Sequence, residues 1–276
     1  PAICRYSWIE RTCGPPFVRR FPGNILGKAG SSGEGQKARP LESVRKWRGV
    51  YEQSGTDAGC FCRPGTGPVP AGFWFHYPQG LSLEERAQAH VDLCRSVGTD
   101  IIKIMDDNFG RFFTQGIRIE KASDWRHIRL PGKDCAHYRH MTGLIQRILD
   151  KSGGEAMVFP TMWSPFKIAS FTYTDGGGTD QQFMAHCKED PASVLEGVRA
   201  LTETLQEWAR DYLELGSSGL YYSGQFSEPQ RFSEEEWARL VKPSDLAVLE
   251  VTKEIPGKYN IVHICGEMEF GFQSSP

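Results

Sequence analysis

The sequence predicts an α/β protein in which parallel strands are joined by helical crossovers, preceded by an irregular segment over residues 1–68. Two observations carry that prediction. From Pro70 onward, short β-branched or aromatic runs alternate with capped amphipathic stretches, the pattern that yields a parallel sheet. The composition of the 276 residues, 39% hydrophobic, 24% charged and 12% aromatic, excludes wholesale disorder, collagen and coiled coil for most of the chain.

The first strand is predicted over Ala71 to Tyr77. Its helix starts at Ser82, where Ser82 and Glu85 form a capping box that satisfies free amides at the helix start, and stops near Gly98. A second strand covers Asp100 to Met105, a run of strand length. A helix from about His137 to Lys151 ends at Gly153-Gly154, which can take the left-handed cap. The third strand is Ala156 to Met162. Asp190 and Pro191 open a long helix, because aspartate caps and proline tolerates the first turn, and Leu195, Val198, Leu201, Leu205 and Trp208 keep helical spacing towards Gly216. Gly219 to Tyr222 is the fourth strand. Ser233 with Glu236 forms a second capping box, and a helical pair broken at Lys242-Pro243-Ser244 runs to about Glu254. Tyr259 to Cys265 is the fifth strand.

Five strands and four crossovers fill roughly 200 residues, whereas an eight-fold barrel takes about 250. The expected architecture is therefore an incomplete TIM-type β/α barrel of about five of its eight units, spanning residues 69–276 and truncated after the fifth strand. Residues 1–70 cannot supply the difference. They contain 11 Gly and 8 Pro, and 11 Lys and Arg against 5 Asp and Glu within a chain of net charge −2; only Leu41 to Tyr51 has an amphipathic helical pattern. An open five-stranded sheet exposes edges that are normally paired or covered, so a partner or a homo-oligomer is one expectation.

No run of about 18 apolar residues exists, and the N-terminus lacks a signal-peptide core, so a soluble cytoplasmic protein with no membrane partner is expected. Eight cysteines are too few for a disulfide scaffold. No P-loop occurs, and no G-x-G-x-x-G follows a strand and opens a helix. Nucleic-acid binding would rest on the basic leader alone and is discounted.

In parallel α/β folds the reactive groups stand at the carboxyl ends of the strands. Reading those ends gives His76, Asp106-Asp107, Trp163, Ser223 to Gln225 with Glu228, and His263 with Cys265. His263 and Cys265 are two apart on a strand and share a face. Imidazole and thiolate suit zinc, whose catalytic sites keep three protein ligands and one open position; the plainer alternative is a buried Cys beside a hydrogen-bonded His. Of the adjacent pair Asp106 and Asp107 only one can face a pocket. Lys103 is in phase with Asp107, and a Lys inside a barrel must be paired. Cys60-x-Cys62 and Cys135-x-His137-x-x-His140 resemble ligand sets without a second half.

Pro165-Phe166, Tyr221-Tyr222-Ser223-Gly224-Gln225, Phe232 to Glu236, Lys242 to Asp245 and Ile261-Val262-His263-Ile264-Cys265-Gly266 together resemble the uroporphyrinogen decarboxylase superfamily. The resemblance covers about Val69 to Glu267 and implies a β/α barrel with its site at the carboxyl end of the strands. Two chemistries are implied. Uroporphyrinogen decarboxylases act on a tetrapyrrole without metal or cofactor, and Asp107 matches their inward aspartate, which would stabilise a pyrrole that becomes cationic. Methyltransferases of the superfamily hold zinc through His-x-Cys, which His263 and Cys265 match, and take a methyl group from a corrinoid, commonly on a corrinoid protein.

Three departures separate this chain from those patterns. His76-Tyr77-Pro78-Gln79 stands where a decarboxylase has its arginine-rich motif, Phe171 stands where it has a tyrosine, and no Cys or His follows Cys265 as a third zinc ligand. The first expectation is zinc-dependent methyl transfer to a thiol, with His263 and Cys265 as ligands and His76, Asp107, Tyr222, Gln225 and Glu228 lining the pocket. The alternatives are cofactor-free tetrapyrrole decarboxylation through Asp107 and a non-catalytic barrel fragment.

Overall fold

The computed structural model describes residues 71–78, 80–105, 118–175, 177–228 and 230–264. Asp106, Asp107, Cys265, Cys60, Cys62 and the stretch from Leu41 to Tyr51 lie outside the described residues.

Five parallel strands, β1 (Gly72–Phe73), β2 (Ile101–Ile104), β3 (Met157–Trp163), β4 (Gly219–Gly224) and β5 (Tyr259–Ile264), pair in sequence order. They curl as a half-barrel with helices between them, an incomplete TIM-type α/β barrel. Helix α1 (Leu83–Val97) connects β1 to β2. A 3-10 turn (Ala122–His127) and α2 (Ala136–Ser152) lead to β3; α3 (Pro165–Asp175), α4 (Asp180–Glu189) and α5 (Pro191–Glu214) lead to β4. The return to β5 passes through α6 (Glu234–Leu240), α7 (Lys242–Glu250) and a 3-10 turn (Val251–Glu254).

The local signals act where the sequence puts them. Ser82 and Glu85 form the capping box of α1, and Ser233 and Glu236 that of α6. Gly98 and Gly153 end α1 and α2 with φ of 74° and 55°, left-handed values that an L side chain resists. Asp190 accepts from the Ser193 amide at the start of α5, with Pro191 in its first turn.

Two expectations need correction. The first strand is Gly72–Phe73, not Ala71 to Tyr77: among the described residues β1 pairs with β2 alone, and Phe73 and Phe75 of the apolar run are 53% and 57% exposed. Helices α3 and α4 occupy a stretch where no helix was expected, and α4 carries a third capping box, Thr179 with Gln182.

Register assigns the two faces of the sheet. Lys103 pairs with Phe159, Thr161 with Tyr221, Tyr221 with Ile261, and Ser223 with His263. Paired residues of a parallel sheet share a face and successive residues point to opposite faces, so these side chains line the concave side. Ile102, Ile104, Val158, Met162, Leu220, Tyr222 and Val262 point to the helices, where they join one buried core with Trp208, Leu205, Ile145 and Phe166. The 3-10 turn after β2 is pinned into that core by Trp125, whose Nε1 donates to His186 Nδ1 at 3.2 Å and whose ring lies 4.9 Å from Phe183. Among the described residues no helix is long and apolar enough to cross a membrane.

Candidate functional site

The concave face carries a continuous row of aromatic and cationic side chains. His76 packs edge-on against Trp74, with ring centroids 5.1 Å apart. The Lys103 ammonium stands 4.1 Å from the Trp74 ring centroid and 3.9 Å from that of Tyr221. Tyr221 in turn stacks on His263 at 5.9 Å. The row thus joins β1 to β5 and brings His76 and His263, far apart in sequence, into one layer.

Lys103 is the residue that makes the row possible. It is buried on β2, where a charge is costly unless its surroundings interact with it. Two ring faces supply part of that interaction, each attracting a cation through its negative quadrupole by about 0.5–2 kcal/mol.

The carboxyl ends of β3 and β4 are locked to each other beside this row. The Ser164 amide donates to the Ser223 carbonyl at 3.1 Å, and Gln225 Nε2 donates to the Ser223 hydroxyl at 3.4 Å. Gln225 therefore reaches the residue that pairs with His263. The next residue, Phe226, has φ of 68°, a left-handed conformation that costs a bulky side chain about 1–3 kcal/mol. Its ring is held among Phe166, Phe183 and Phe232, with the Arg231 guanidinium 4.6 Å above it.

The other expected residues separate from this layer. Tyr222 faces the helices and donates its hydroxyl to Asp245 of α7 at 2.8 Å, fully buried. Burial raises the Asp245 carboxyl to about 7 despite that hydrogen bond, and raises Tyr222 well above its ordinary value. Glu228 engages Arg231 at 3.2 Å, which also reaches Asp180 at the start of α4 at 3.1 Å. Burial pushes the Asp180 carboxyl up, but hydrogen bonds from Ser170 and Arg231 outweigh it and leave its pKa lowered. Glu228 thus ties the loop after β4 to the helical layer.

Cys135, His137 and His140 do not converge as a ligand set. Cys135 caps α2 by accepting from the Tyr138 amide, and the buried His137 ring lies 5.5 Å from Trp208, its pKa lowered to about 3 by burial. Among the described residues no group of three or more His, Cys, Asp or Glu could hold a metal ion. Sequence reasoning missed Trp74 and Tyr221, since nothing in one strand's pattern tells which phase faces the barrel interior.

The family model for uroporphyrinogen decarboxylase (URO-D) matches residues 105–273. The chain belongs to the uroporphyrinogen decarboxylase family. That match takes in β3, β4 and β5 and therefore Tyr221, Gln225 and His263. Among solved structures, the fold resembles a methyltransferase from Methanosarcina mazei with a TM-score of 0.55 at 13% identity, covering 67% of this chain and 57% of that one. This chain thus spans little more than half the length of that neighbour. No curated protein matches it.

Proposed function

We propose that this member of the uroporphyrinogen decarboxylase family transfers a methyl group to a thiol, with a zinc ion held by His263 and Cys265. The observation that carries the reading is the position of His263: it stands on the concave face at the carboxyl end of β5, stacked on Tyr221. By strand alternation Cys265 would fall on the same face. Imidazole and thiolate are donors that fit zinc, and the likeness of the fold to a solved methyltransferase supports the methyl-transfer part of the reading. A third ligand would come from outside the described residues.

When bound, zinc supplies a deprotonated, nucleophilic thiolate at neutral pH. The chain's own residues prepare the place for it. Trp74 and Tyr221 wall the layer with apolar surface, and the Lys103 ammonium lies between their rings. Gln225, anchored on Ser223, offers an amide for orienting the acceptor. The methyl donor of this reading is a corrinoid, free or on a corrinoid protein: the thiolate forms the S–C bond, the donor keeps the electron pair, and the thiol proton goes to solvent.

The test incubates the full chain with methylcobalamin and a small thiol and follows the methyl–cobalt absorbance. Thiol-dependent decay that disappears in His263→Ala is expected; decay at the protein-free rate would overturn the reading. A second reading, cofactor-free decarboxylation of uroporphyrinogen, is favoured by the name of the matching family model and by the inclusion of Asp107 in its match.

A further inference from the structure

Phe226, the second residue past the end of β4, is the one non-glycine residue with a positive φ among the described residues. At 68° it lies in the left-handed range that the chain fills with glycine at Gly80, Gly98, Gly153 and Gly257. A side chain is strained there, and a turn that only had to reverse the chain would be made by glycine without that strain. What holds Phe226 in place is its ring. The residue is 1% exposed, with the Phe183 ring of α4 at 5.6 Å and nearly perpendicular, Phe166 of α3 at 6.2 Å and Phe232 at 6.4 Å. The Arg231 guanidinium lies 4.6 Å from the ring centroid, and it is itself tied to Glu228 at 3.2 Å and to Asp180 of α4 at 3.1 Å.

The torsion φ turns about the bond between the Phe226 nitrogen and its Cα, and that nitrogen carries the Gln225 carbonyl. With the ring and Cα held in this cage, φ decides where Gln225 goes. Relaxation to an ordinary value of about −60° would swing the preceding peptide by about 130°. At 68° the Gln225 Nε2 reaches the Ser223 hydroxyl at 3.4 Å, on the residue that pairs with His263. Glycine at this position would allow the same turn but also its alternatives, since glycine takes either sign of φ. The caged ring admits one.

We propose that Phe226 is a positioning residue for Gln225: packing in the helical layer holds a strained turn that keeps the Gln225 amide at the Ser223 hydroxyl. The site thus draws its order from aromatic burial on the far side of the sheet. The consequence for turnover rests on the methyl-transfer reading, in which that amide orients the thiol acceptor. The position itself is read without turnover.

Hydrogen–nitrogen correlation spectra of the full chain, with the Gln225 side-chain amide assigned by its loss in Gln225→Ala, test the position. Phe226→Ala empties the cage but keeps the penalty on a positive φ, so the Gln225 signal should move towards the place it takes in Ser223→Ala. Phe226→Gly empties the cage without that penalty, and the signal should stay closer to wild type. Phe226→Gly should also melt about 2–4 °C above Phe226→Ala, the reverse of the usual order of the two residues. An unmoved signal in Phe226→Ala, or a Phe226→Gly chain that melts no higher, would overturn the proposal. If neither truncation folds, Phe226→Leu carries the test, since it fills the cage only in part under the same penalty: a displaced Gln225 signal supports the proposal and a wild-type one overturns it. In the methylcobalamin assay, Phe226→Ala and Gln225→Ala should each raise the KM for the thiol about tenfold, the loss of one hydrogen bond, and the double variant no further. A lower kcat at unchanged KM would reduce Phe226 to a structural role. A wild-type chain without thiol-dependent turnover overturns the methyl-transfer reading alone, because the spectra and the melting decide this one.

Discussion

Asp245 sets a pH dependence opposite to that of most acidic residues. Its carboxyl is fully buried against the Tyr222 hydroxyl and raised from 3.8 to about 7, so the folded state binds a proton that the unfolded chain has already released above pH ~4. Stability from this residue is complete below that point and falls as pH rises towards about 7, by an amount on the order of a few kcal/mol. Asp245→Asn keeps an acceptor for Tyr222 and removes the titration. We expect urea midpoints of the variant to change less than those of wild type between pH 4 and 7, and a parallel pH profile would contradict the assignment. The same pair shows what one residue of phase decides. Tyr221 and Tyr222 are adjacent and chemically equal, yet one lines the concave row and the other joins the helical core. Their sequence, Gly219-Leu220-Tyr221-Tyr222, is apolar on both faces as parallel strands are, and so the inward phase could not be read from it.

At the scale of elements, α5 packs closely against the 3-10 turn after β2. A Cβ on Gly197 would lie 2.3 Å from the Trp125 carbonyl oxygen and 2.7 Å from Ile128 Cγ2. Gly→Ala inside a helix ordinarily adds about 0.5–1 kcal/mol of stability. Here the helix would have to move off the turn, and Gly197→Ala should instead cost about 1–3 kcal/mol, read as a lower denaturant midpoint at unchanged slope; a higher midpoint would show that this contact yields. Most elements that a cap or an apolar stripe marks were legible in the sequence. The boxes Ser82/Glu85 and Ser233/Glu236, the Asp190-Pro191 start and the left-handed Gly98 and Gly153 all act in the fold as they read in the chain. Helix α3 was illegible because Phe166, Ile168, Ala169, Ser170 and Thr172 are all buried and leave no polar stripe to give it a period. Helix α4 had a readable signal in Thr179 and Gln182.

For the molecule as a whole, strand count and order followed from the alternation of short runs and capped helices, and the five strands of the half-barrel among the described residues agree with them. The site was legible only in part, since a residue's place at a strand end shows in sequence but its neighbours across the sheet do not. His76 and His263 were identified singly; Trp74, Lys103 and Tyr221 join them across a sheet whose four registers link five strands. That row at the carboxyl edge is the basis for reading a zinc site at His263 and Cys265. Elemental analysis of the purified full chain, of His263→Ala and of Cys265→Ser tests that reading most directly. The account predicts about one zinc per wild-type chain, removed by a chelator, and loss of the metal in both variants. A wild-type chain without stoichiometric zinc, or variants that keep it, would contradict the account.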